Sequence, residues 1–337
     1  MRKLYKKFRS NLTPEQKGML TKLVFMMPNK PSVQRDNLDP ATKFPGGEKG
    51  GMMISADFEL AWAWRFTKTG ADPLKMAQQA RKNFPIIIGT LDRYNIPITF
   101  ATVGHLFLEK CNKGDHDWMT PVPHYNDHWR FTEGDWFQHD PHTDVKKDKE
   151  WYAPDLIRMI QDAKTKHEIS THTFSHIDFS NKLCPPPVAE DEIKACIESM
   201  KPYGLKPESI VFPGGTYGNI DVLKKYGFKI YRKNVNVDMA YPYKDDQGLL
   251  VTPTSLGFMR DFKSWSADYY VYRFKTFLNR AVRTGTIAHF WFHPSFDEWT
   301  RDNVFPHVME YAAELRDKGD LWIGPMISIA NHINKNK

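Results

Sequence analysis

From residue 51 onward, short apolar runs typical of strands alternate with longer segments that have the apolar periodicity of helices. We predict seven strands, at residues 51–57, 98–104, 167–171, 209–213, 228–232, 286–293 and 321–323. We predict the helices at residues 73–94, with an interruption at Pro85, and at 154–166, 188–203, 219–226, 267–284 and 302–317. This alternation is typical of parallel strands joined by helical crossovers, so the sequence predicts an α/β fold.

Chemically active residues follow four of the predicted strands, and their position bears on the architecture. They are Asp57 with Glu59, His172 with His176, the glycine-rich segment 213–219, and His293. An open doubly wound sheet and a β/α barrel both gather such residues at the carboxyl ends of strands, but a barrel brings many strand ends to one centre. Four strand ends sharing one site therefore favour a deformed, incomplete (β/α)7 barrel with an N-terminal helical extension.

The chain divides by composition into an extension and a main domain. Residues 1–50 are predicted to form a basic extension with one helix and a linker rich in Pro, Gly and Asn. Residues 51–337 are predicted to form the barrel. Within it, residues 105–152 are rich in His, Trp and Pro and have no amphipathic period, so they are predicted to form an inserted cap over the site.

The helix of the extension is predicted to begin near Pro14, with Thr13 as its N-cap, and to end before Pro28. Its apolar residues are Met19, Leu20, Leu23, Val24 and Met27. Such a helix usually packs against the body of the protein or a second subunit, but the pattern also suits an interfacial membrane helix. Packing is the favoured prediction, and peripheral membrane contact through residues 1–27 stays open.

Charge and cysteine content narrow the cellular setting and the partners. The 337-residue chain has a formal net charge of +7, which favours phosphate-bearing substrates or anionic lipid surfaces. No zinc-finger, RRM or helix-turn-helix signature supports nucleic acid as a partner. The basic start lacks the apolar segment of a secretory signal, and three widely spaced cysteines argue against disulfides. We predict a cytoplasmic protein, either free or membrane-associated, whose oligomeric state the sequence does not fix.

The segment HTFSH places His172 and His176 four residues apart. On a helical turn the two imidazoles project from the same side, and neutral imidazole is a common ligand for zinc. The spacing alone does not separate a metal-binding pair from a structural or capping pair. The acidic residues that end an earlier strand strengthen the metal interpretation.

Asp57 and Glu59 lie two residues apart in SADFELAW, so in an extended chain their carboxylates face the same way. A helix N-cap followed by an acidic first turn is the alternative explanation. Two histidines and one carboxylate form a set of three ligands that leaves positions open for water and substrate, as in catalytic metal sites. The other carboxylate is then available as a general base.

Four motifs in this order resemble the NodB-type polysaccharide deacetylases, also called carbohydrate esterase family 4, and within them the intracellular branch with D-x-E in its first motif. The motifs are SADFELAW, HTFSH, VFPGGTYGN and FWFHP, and the resemblance covers about residues 51–296. It implies a deformed seven-stranded β/α barrel, a bound Zn²⁺ or another divalent metal, and hydrolysis of the N-acyl group of a sugar.

The resemblance also implies roles for single residues. These are metal ligand for His172 and His176, general base for Asp57, and general acid for His293. Many members have two adjacent aspartates in the first motif, base then ligand, but here Phe58 holds the second place. Glu59 is therefore predicted to be the third metal ligand, with Asp57 as the alternative.

Six residues near the motifs are predicted to bind substrate: Trp62, Pro213, Gly215, Tyr217, Arg232 and Trp291. Glycine lets backbone approach a ligand closely, which favours PGGTYGN as a substrate-facing loop, and this segment lacks the lysine of a P-loop. Many family members hold the catalytic aspartate with an arginine where this chain has Phe212. We predict that Arg232 replaces it.

The sequence thus predicts a metal-dependent hydrolase that removes an acetyl group from an amino sugar. The charge and the predicted location favour a nucleotide- or lipid-linked acetamido sugar as substrate. Two alternatives stay open. One is a catalytically silent glycan-binding or scaffold protein, and the other is a non-haem metal enzyme that uses the same His, His and carboxylate set.

Overall fold

The computed structural model describes residues 12–26, 32–34, 36–66, 71–234 and 238–335. Its strands are β1 (Ser32–Val33), β2 (Gly50–Phe58), β3 (Thr99–Thr102), β4 (Glu168–Thr171), β5 (Ser209–Val211), β6 (Ile230–Lys233), β7 (Asp238–Met239), β8 (Tyr243–Lys244), β9 (Leu250–Pro253), β10 (Leu256–Gly257), β11 (Ile287–Phe292) and β12 (Leu321–Ile323). Its helices are α1 (Pro14–Met26), α2 (Pro40–Lys43), α3 (Pro73–Tyr94), α4 (Pro154–Asp162), α5 (Pro186–Met200), α6 (Ile220–Lys225), α7 (Ala267–Thr284), α8 (Glu298–Asn303), α9 (Phe305–Asp317) and α10 (Met326–Lys335).

One curled sheet forms the centre of the molecule, in the strand order β10-β11-β2-β3-β4-β5-β6-β9-β8. Neighbouring strands of this sheet run parallel, except β8 and β9, which are antiparallel. The long strand β2 pairs with β12 along its first three residues and with β3 along its last four. The two ends of the sheet, β8 and β10, do not pair with each other in the described part of the chain. The predicted α/β fold, a deformed and incomplete barrel, is confirmed.

All seven predicted strands are present, together with five short strands that were not predicted. Of these, β1 and β7 pair with each other, while β8, β9 and β10 belong to the curled sheet. They are two to four residues long and therefore carry little periodic signal. The helix α3 runs through Pro85 without the predicted interruption. Pro85 lies on its exposed side, where water can satisfy the carbonyl that loses its partner. The helix predicted at 302–317 divides at Val304, whose backbone is not helical.

The helix α1 packs against the body of the protein. Its Gly18 is buried close to the rings of Phe262 and Trp265, and the Lys22 ammonium lies 4.4 Å from the centre of the Tyr269 ring. Met19 and Leu23, which belong to the predicted apolar face, are exposed instead. The predicted membrane contact through residues 1–27 falls partly on residues 1–11 and 27, which lie outside the described residues. No helix in the described ranges is both long and apolar enough to cross a membrane.

The segment between α1 and β2 makes specific contacts with the barrel. The strand β1 pairs with β7, and Phe44 is buried against the rings of Tyr241 and Trp322. The Lys43 ammonium, which is also buried, lies 2.6 Å from a carboxylate oxygen of Asp36. Lys43 and Phe44, which lie in the predicted linker, are therefore packed against the main domain.

The inserted segment 105–152 begins with a 3₁₀ turn, Gly104–Phe107, and continues up to α4 as turns and irregular chain. It has its own buried aromatic side chains, among them Phe131 and Trp136, whereas Trp118 and Trp129 are exposed. The Trp136 indole N–H donates to the Ser175 hydroxyl at 2.6 Å, inside the HTFSH segment. The insertion thus packs directly on the predicted site.

Candidate active site

Three strand ends bring the predicted catalytic residues together. Asp57 is the penultimate residue of β2 and Glu59 follows that strand, while His172 follows β4 and His293 follows β11. Because these strands are parallel, their carboxyl ends lie at the same edge of the curled sheet. The sequence did not predict the distances between these side chains, but it did predict the edge of the sheet at which they meet.

Glu59 lies at the centre of the cluster. Its carboxylate oxygen Oε2 is 3.3 Å from Nε2 of His172 and 3.1 Å from Nε2 of His176. All three side chains are buried, and their ligand atoms lie within 4.8 Å of one another. Asp57 stands outside this set of three. The arrangement therefore favours Glu59 over Asp57 as the carboxylate partner of the two histidines.

The donor set of this cluster fits a divalent cation. Two imidazole nitrogens and one carboxylate oxygen are standard ligands for zinc and similar ions. Nδ1 of His172 lies 2.7 Å from the Val211 carbonyl, to which it donates, and this leaves Nε2 with its lone pair toward Glu59. Burial lowers the pKa of His176 to about 3, although Glu59 opposes the shift, so this imidazole is neutral at pH 7 as a ligand must be.

Asp57 is held by Arg232 in a two-pronged ion pair. The guanidinium donates to both carboxylate oxygens, with Nη2 at 2.7 Å from Oδ2, and it also donates to the Ser55 hydroxyl at 3.0 Å. Burial raises the pKa of Asp57, but Arg232, with further help from His172 and His293, outweighs burial and leaves that pKa lowered. Asp57 is therefore ionised at neutral pH.

Glu59 is also ionised at neutral pH. Burial raises its pKa, but the neighbouring His293, His172 and His176 together lower it well below its usual range. The site thus contains two buried carboxylates and one Arg232 guanidinium. This excess of negative charge is what a divalent cation would balance.

His293 lies on the other side of Glu59. Its Nε2 is 3.3 Å from Glu59 Oε1 and 3.8 Å from Asp57 Oδ2, and its side chain is 27% exposed. The edges of Trp64 and Trp291 pack against its ring, with centroids 5.9 and 5.4 Å away. His293 also lines an open cavity of about 150 Å³. It is therefore the imidazole of this site that both solvent and a ligand can reach.

The turn that carries the two histidines is not helical, contrary to the predicted helical turn. Thr173 and His176 have positive φ angles of 62° and 57°, and Leu60, next to Glu59, has 45°. Residues without glycine's freedom adopt this conformation only where their surroundings enforce it, and such positions concentrate at functional sites. Here Glu192 of α5 enforces it, since its Oε2 accepts the backbone N–H of Phe174 at 2.8 Å and of Ser175 at 2.9 Å.

Two buried polar residues near the histidines, Arg130 and His128, were not predicted from the sequence. Arg130, from the insertion, donates to Asp178 at 2.8 Å and to the His176 carbonyl at 2.9 Å, and its Nη1 lies 3.1 Å from Nδ1 of His176. His128 lies 3.1 Å from the same Asp178 oxygen. Nothing in the sequence marks these residues, because the insertion has no period from which their direction can be derived.

Three of the predicted substrate-binding residues, Trp291, Arg232 and Trp62, lie outside the loop after β5. Trp291 and Arg232 lie at the site, but Arg232 is fully buried and occupied by Asp57, so it positions that carboxylate instead of facing a ligand. Trp62 is fully buried as well. Its indole N–H donates to the Trp151 carbonyl at 3.1 Å, and it has no surface to offer a substrate.

The loop after β5 provides the remaining predicted residues. Pro213 and Gly215 form a 3₁₀ turn in which Gly214 and Gly215 both have positive φ. Tyr217 is 49% exposed and lies parallel to Tyr231, with ring centroids 6.5 Å apart. This loop follows β5 in the sheet, and Tyr217 is its accessible aromatic ring.

Comparison with known proteins supports the same fold. Residues 74–231 match the family model described as polysaccharide deacetylase. No curated protein matches the chain in sequence at a significant level.

Three solved structures share the fold. The first is a polysaccharide deacetylase, described as putative, from Mycobacterium smegmatis, with 18% identity, 87% of this chain and 93% of that chain covered, and a TM-score of 0.60. The second is a probable polysaccharide deacetylase from Pseudomonas aeruginosa, with 13% identity, coverage of 89% and 95%, and a TM-score of 0.61. The third is the allantoinase Puue, with 14% identity, coverage of 88% and 94%, and a TM-score of 0.58.

The fold and the family match define the class of the protein as a carbohydrate deacetylase, a hydrolase. Residues 74–231 match the polysaccharide deacetylase model, and this match agrees with the resemblance to NodB-type deacetylases that the four motifs predicted. The intracellular branch, suggested by the D-x-E spacing of Asp57 and Glu59, stays a prediction.

Proposed function

We propose that this protein is a metal-dependent hydrolase that removes the acetyl group from an acetamido sugar linked to a nucleotide or a lipid carrier. The observation that carries the proposal is the arrangement around Glu59. Two imidazoles and this carboxylate converge on one point, and Asp57 and His293 lie beside them. Amide hydrolysis requires a Lewis acid, a base and an acid at one point, and these groups suit the three roles.

Glu59, His172 and His176 would hold the cation. Zinc is the first candidate, since two nitrogen donors and one oxygen donor suit it and leave an open position. When bound, a divalent cation supplies Lewis acidity, which polarises an acyl carbonyl and makes a nearby water more acidic. The Val211 carbonyl supports this role, because it fixes the orientation of the His172 ring.

Asp57 and His293 divide the proton transfers. Ionised Asp57 accepts a proton from the attacking water, whose oxygen forms the new bond to the acyl carbon. Protonated His293 donates a proton to the amide nitrogen as the C–N bond breaks, because an amine leaves poorly as an anion. The products are acetate and the free amino sugar, and a proton returned from Asp57 to His293 through solvent restores both groups.

Charge beside the site supports a phosphate-linked substrate. Arg260 lines the cavity next to His293, together with Trp64 and Met259. A guanidinium binds phosphate oxygens well, and an indole offers an apolar face to a sugar ring. The net charge of +7 adds long-range attraction for an anionic substrate. Three buried, unpaired cysteines suit a reducing compartment such as the cytoplasm.

The test is acetate release from one acetamido sugar in four forms: free, as its phosphate, linked to a nucleoside diphosphate, and linked to a polyprenyl phosphate. We expect the zinc-loaded protein to release acetate from a nucleotide- or lipid-linked form at least about tenfold faster than from the free sugar. The free sugar lacks the phosphate and therefore loses one charge-assisted contact. His172→Ala should lose both the activity and the cation at this site. Equal rates on all four forms would contradict the phosphate-linked substrate.

Other outcomes of the same assay would favour other functions. Allantoin is included because an allantoinase shares the fold. Hydrolysis of allantoin without acetate release from any sugar would indicate that the substrate is a cyclic amide and not an acetamido sugar. Sugar binding without any product, with zinc present, would favour a silent glycan-binding protein. Oxygen consumption by an iron-loaded protein would favour a non-haem redox enzyme.

A further inference from the structure

The insertion contains a second cluster of metal-ligating side chains, separate from the one around Glu59. Its members are His105, Cys111, His116 and Asp140, which we call the cap cluster. One ligand atom from each residue lies within 4.8 Å of the others. His105 belongs to the 3₁₀ turn after β3, and the other three belong to the irregular chain that follows. The cluster thus joins the start of the insertion to its later part.

The spacing of the ligand atoms matches a four-coordinate ion. Cys111 Sγ lies 3.2 Å from Nε2 of His116, and Asp140 Oδ2 lies 3.0 Å from Nε2 of His105 and 3.8 Å from Nε2 of His116. Tetrahedral zinc, with bonds of about 2.0–2.3 Å, holds such ligands roughly 3.3–3.6 Å apart. The observed distances bracket that range, so an ion can enter with small rotamer adjustments.

Buried polar atoms that make no hydrogen bond lie in the same space. The side chains of His105 and Asp140 are fully buried. Both ring nitrogens of His105, and Oδ2 of Asp140, have no hydrogen bond of acceptable geometry. A buried polar atom without a hydrogen bond costs free energy, and a cation bound among these atoms would remove that cost for Nε2 and Oδ2.

We propose that His105, Cys111, His116 and Asp140 bind a structural zinc ion. A thiolate and two imidazoles select zinc over harder cations, and four protein ligands leave no open position for chemistry. An ion has an entry path, because His116 lines a cavity of about 630 Å³ between the insertion and α5. His142 lines the same cavity, and its Nδ1 is 3.7 Å from Asp140 Oδ2, at the partly exposed edge of the cluster.

The ion would hold the turn that carries the histidines of the active site. The backbone N–H of His105 donates to the Phe174 carbonyl at 2.9 Å, and that of Gly104 donates to the Thr173 carbonyl at 2.9 Å. The Phe174 ring packs against both His105 and His116, with centroids 5.5 and 5.2 Å away. The cap cluster thus packs against the segment between His172 and His176 and stabilises its conformation.

Cobalt(II) tests the proposal without any activity measurement, since the cap cluster has a thiolate and the Glu59 cluster has none. The full-length protein is stripped of metal, titrated with cobalt(II), and examined by absorption spectroscopy and by mass spectrometry of bound metal. We expect two equivalents of cobalt and a near-ultraviolet thiolate-to-cobalt charge-transfer band. Cys111→Ala should lose the band and one equivalent, whereas the buried control Cys184→Ala should keep both.

The proposed function and the cap cluster can fail independently. His172→Ala should lose the other equivalent and keep the band. A wild-type protein that binds one equivalent with no thiolate band would overturn the second site. So would two equivalents with a band that persists in Cys111→Ala, because the ion would then lie elsewhere. If Cys111→Ala does not fold, His116→Ala is measured in its place, and the wild-type spectrum still decides.

Discussion

Asp57 is buried, and burial alone would raise its pKa and protonate it near neutral pH. Arg232 reverses that effect, because its guanidinium pairs with both carboxylate oxygens. The sequence suggested Arg232 as a replacement for the missing arginine of the third motif, and the geometry of the pair supports that positioning role. What the sequence did not reveal is that Arg232 is too deeply buried to reach a substrate as well.

At the scale of single residues, we expect Arg232→Met to raise the pKa of Asp57. The acid limb of the pH profile of kcat/KM should then move to higher pH, because the base becomes protonated at a higher pH than in the wild type. Arg93→Met, on the exposed face of α3, is the matched control and should leave the profile in place. A lower rate with an unmoved acid limb would show that Arg232 does not tune Asp57.

His289 offers a test of pH-dependent stability away from the proposed ligands. Burial, with help from Arg232, lowers its pKa to about 3, whereas an unfolded histidine has a pKa of about 6.5. Between these values the unfolded chain binds the extra proton, so the free energy of unfolding falls as pH falls below about 6.5. At pH 5 the loss from this residue should be about 2 kcal/mol, at 1.36 kcal/mol per pKa unit.

Urea unfolding at pH 7 and pH 5 measures that loss. His289→Gln should lose less stability between the two pH values than the wild type, since glutamine keeps a polar group near Ser55 and Thr252 but does not titrate. His307→Gln, at an exposed position, should behave like the wild type. An equal pH dependence in His289→Gln and the wild type would refute the assignment.

At the scale of elements, the turn 172–176 depends on α5. Glu192→Ala would remove the acceptor of two buried N–H groups and release the strained backbone around His176. We expect zinc at the Glu59 cluster to bind about 10–100-fold more weakly, which is typical when a group that orients metal ligands is lost. Competition with a chelator measures the dissociation constant. Glu198→Ala, exposed on the same helix, should not change it, and unchanged affinity in Glu192→Ala would contradict this role.

The same turn marks the limit of prediction at this scale. The four-residue spacing of His172 and His176 correctly suggested a pair, but it is typical of a helix, and the chain forms an irregular turn instead. The turn is determined by Glu192, Arg130 and the insertion, which are distant in sequence and carry no local signal. Strand and helix periodicity, by contrast, is local, so β2 to β6 and β11 were predictable.

At the scale of the whole molecule, parallel topology made the site predictable before any coordinates. Parallel strands place their carboxyl ends at one edge, so residues after β2, β4 and β11 had to meet there. No such rule applies to the cap cluster. Its ligands span residues 105 to 140 with irregular spacing and a single cysteine, so none of the familiar zinc spacings identifies them.

The central claim is that Glu59 holds a cation while Asp57 acts as the base, and one paired measurement tests it most directly. Zinc content and acetate release are measured together for Asp57→Asn and Glu59→Gln. We predict that Asp57→Asn keeps zinc at this site and loses about 10²–10⁴ in turnover, whereas Glu59→Gln loses the zinc. Zinc lost from Asp57→Asn but kept by Glu59→Gln, or near-normal turnover in Asp57→Asn, would contradict the account.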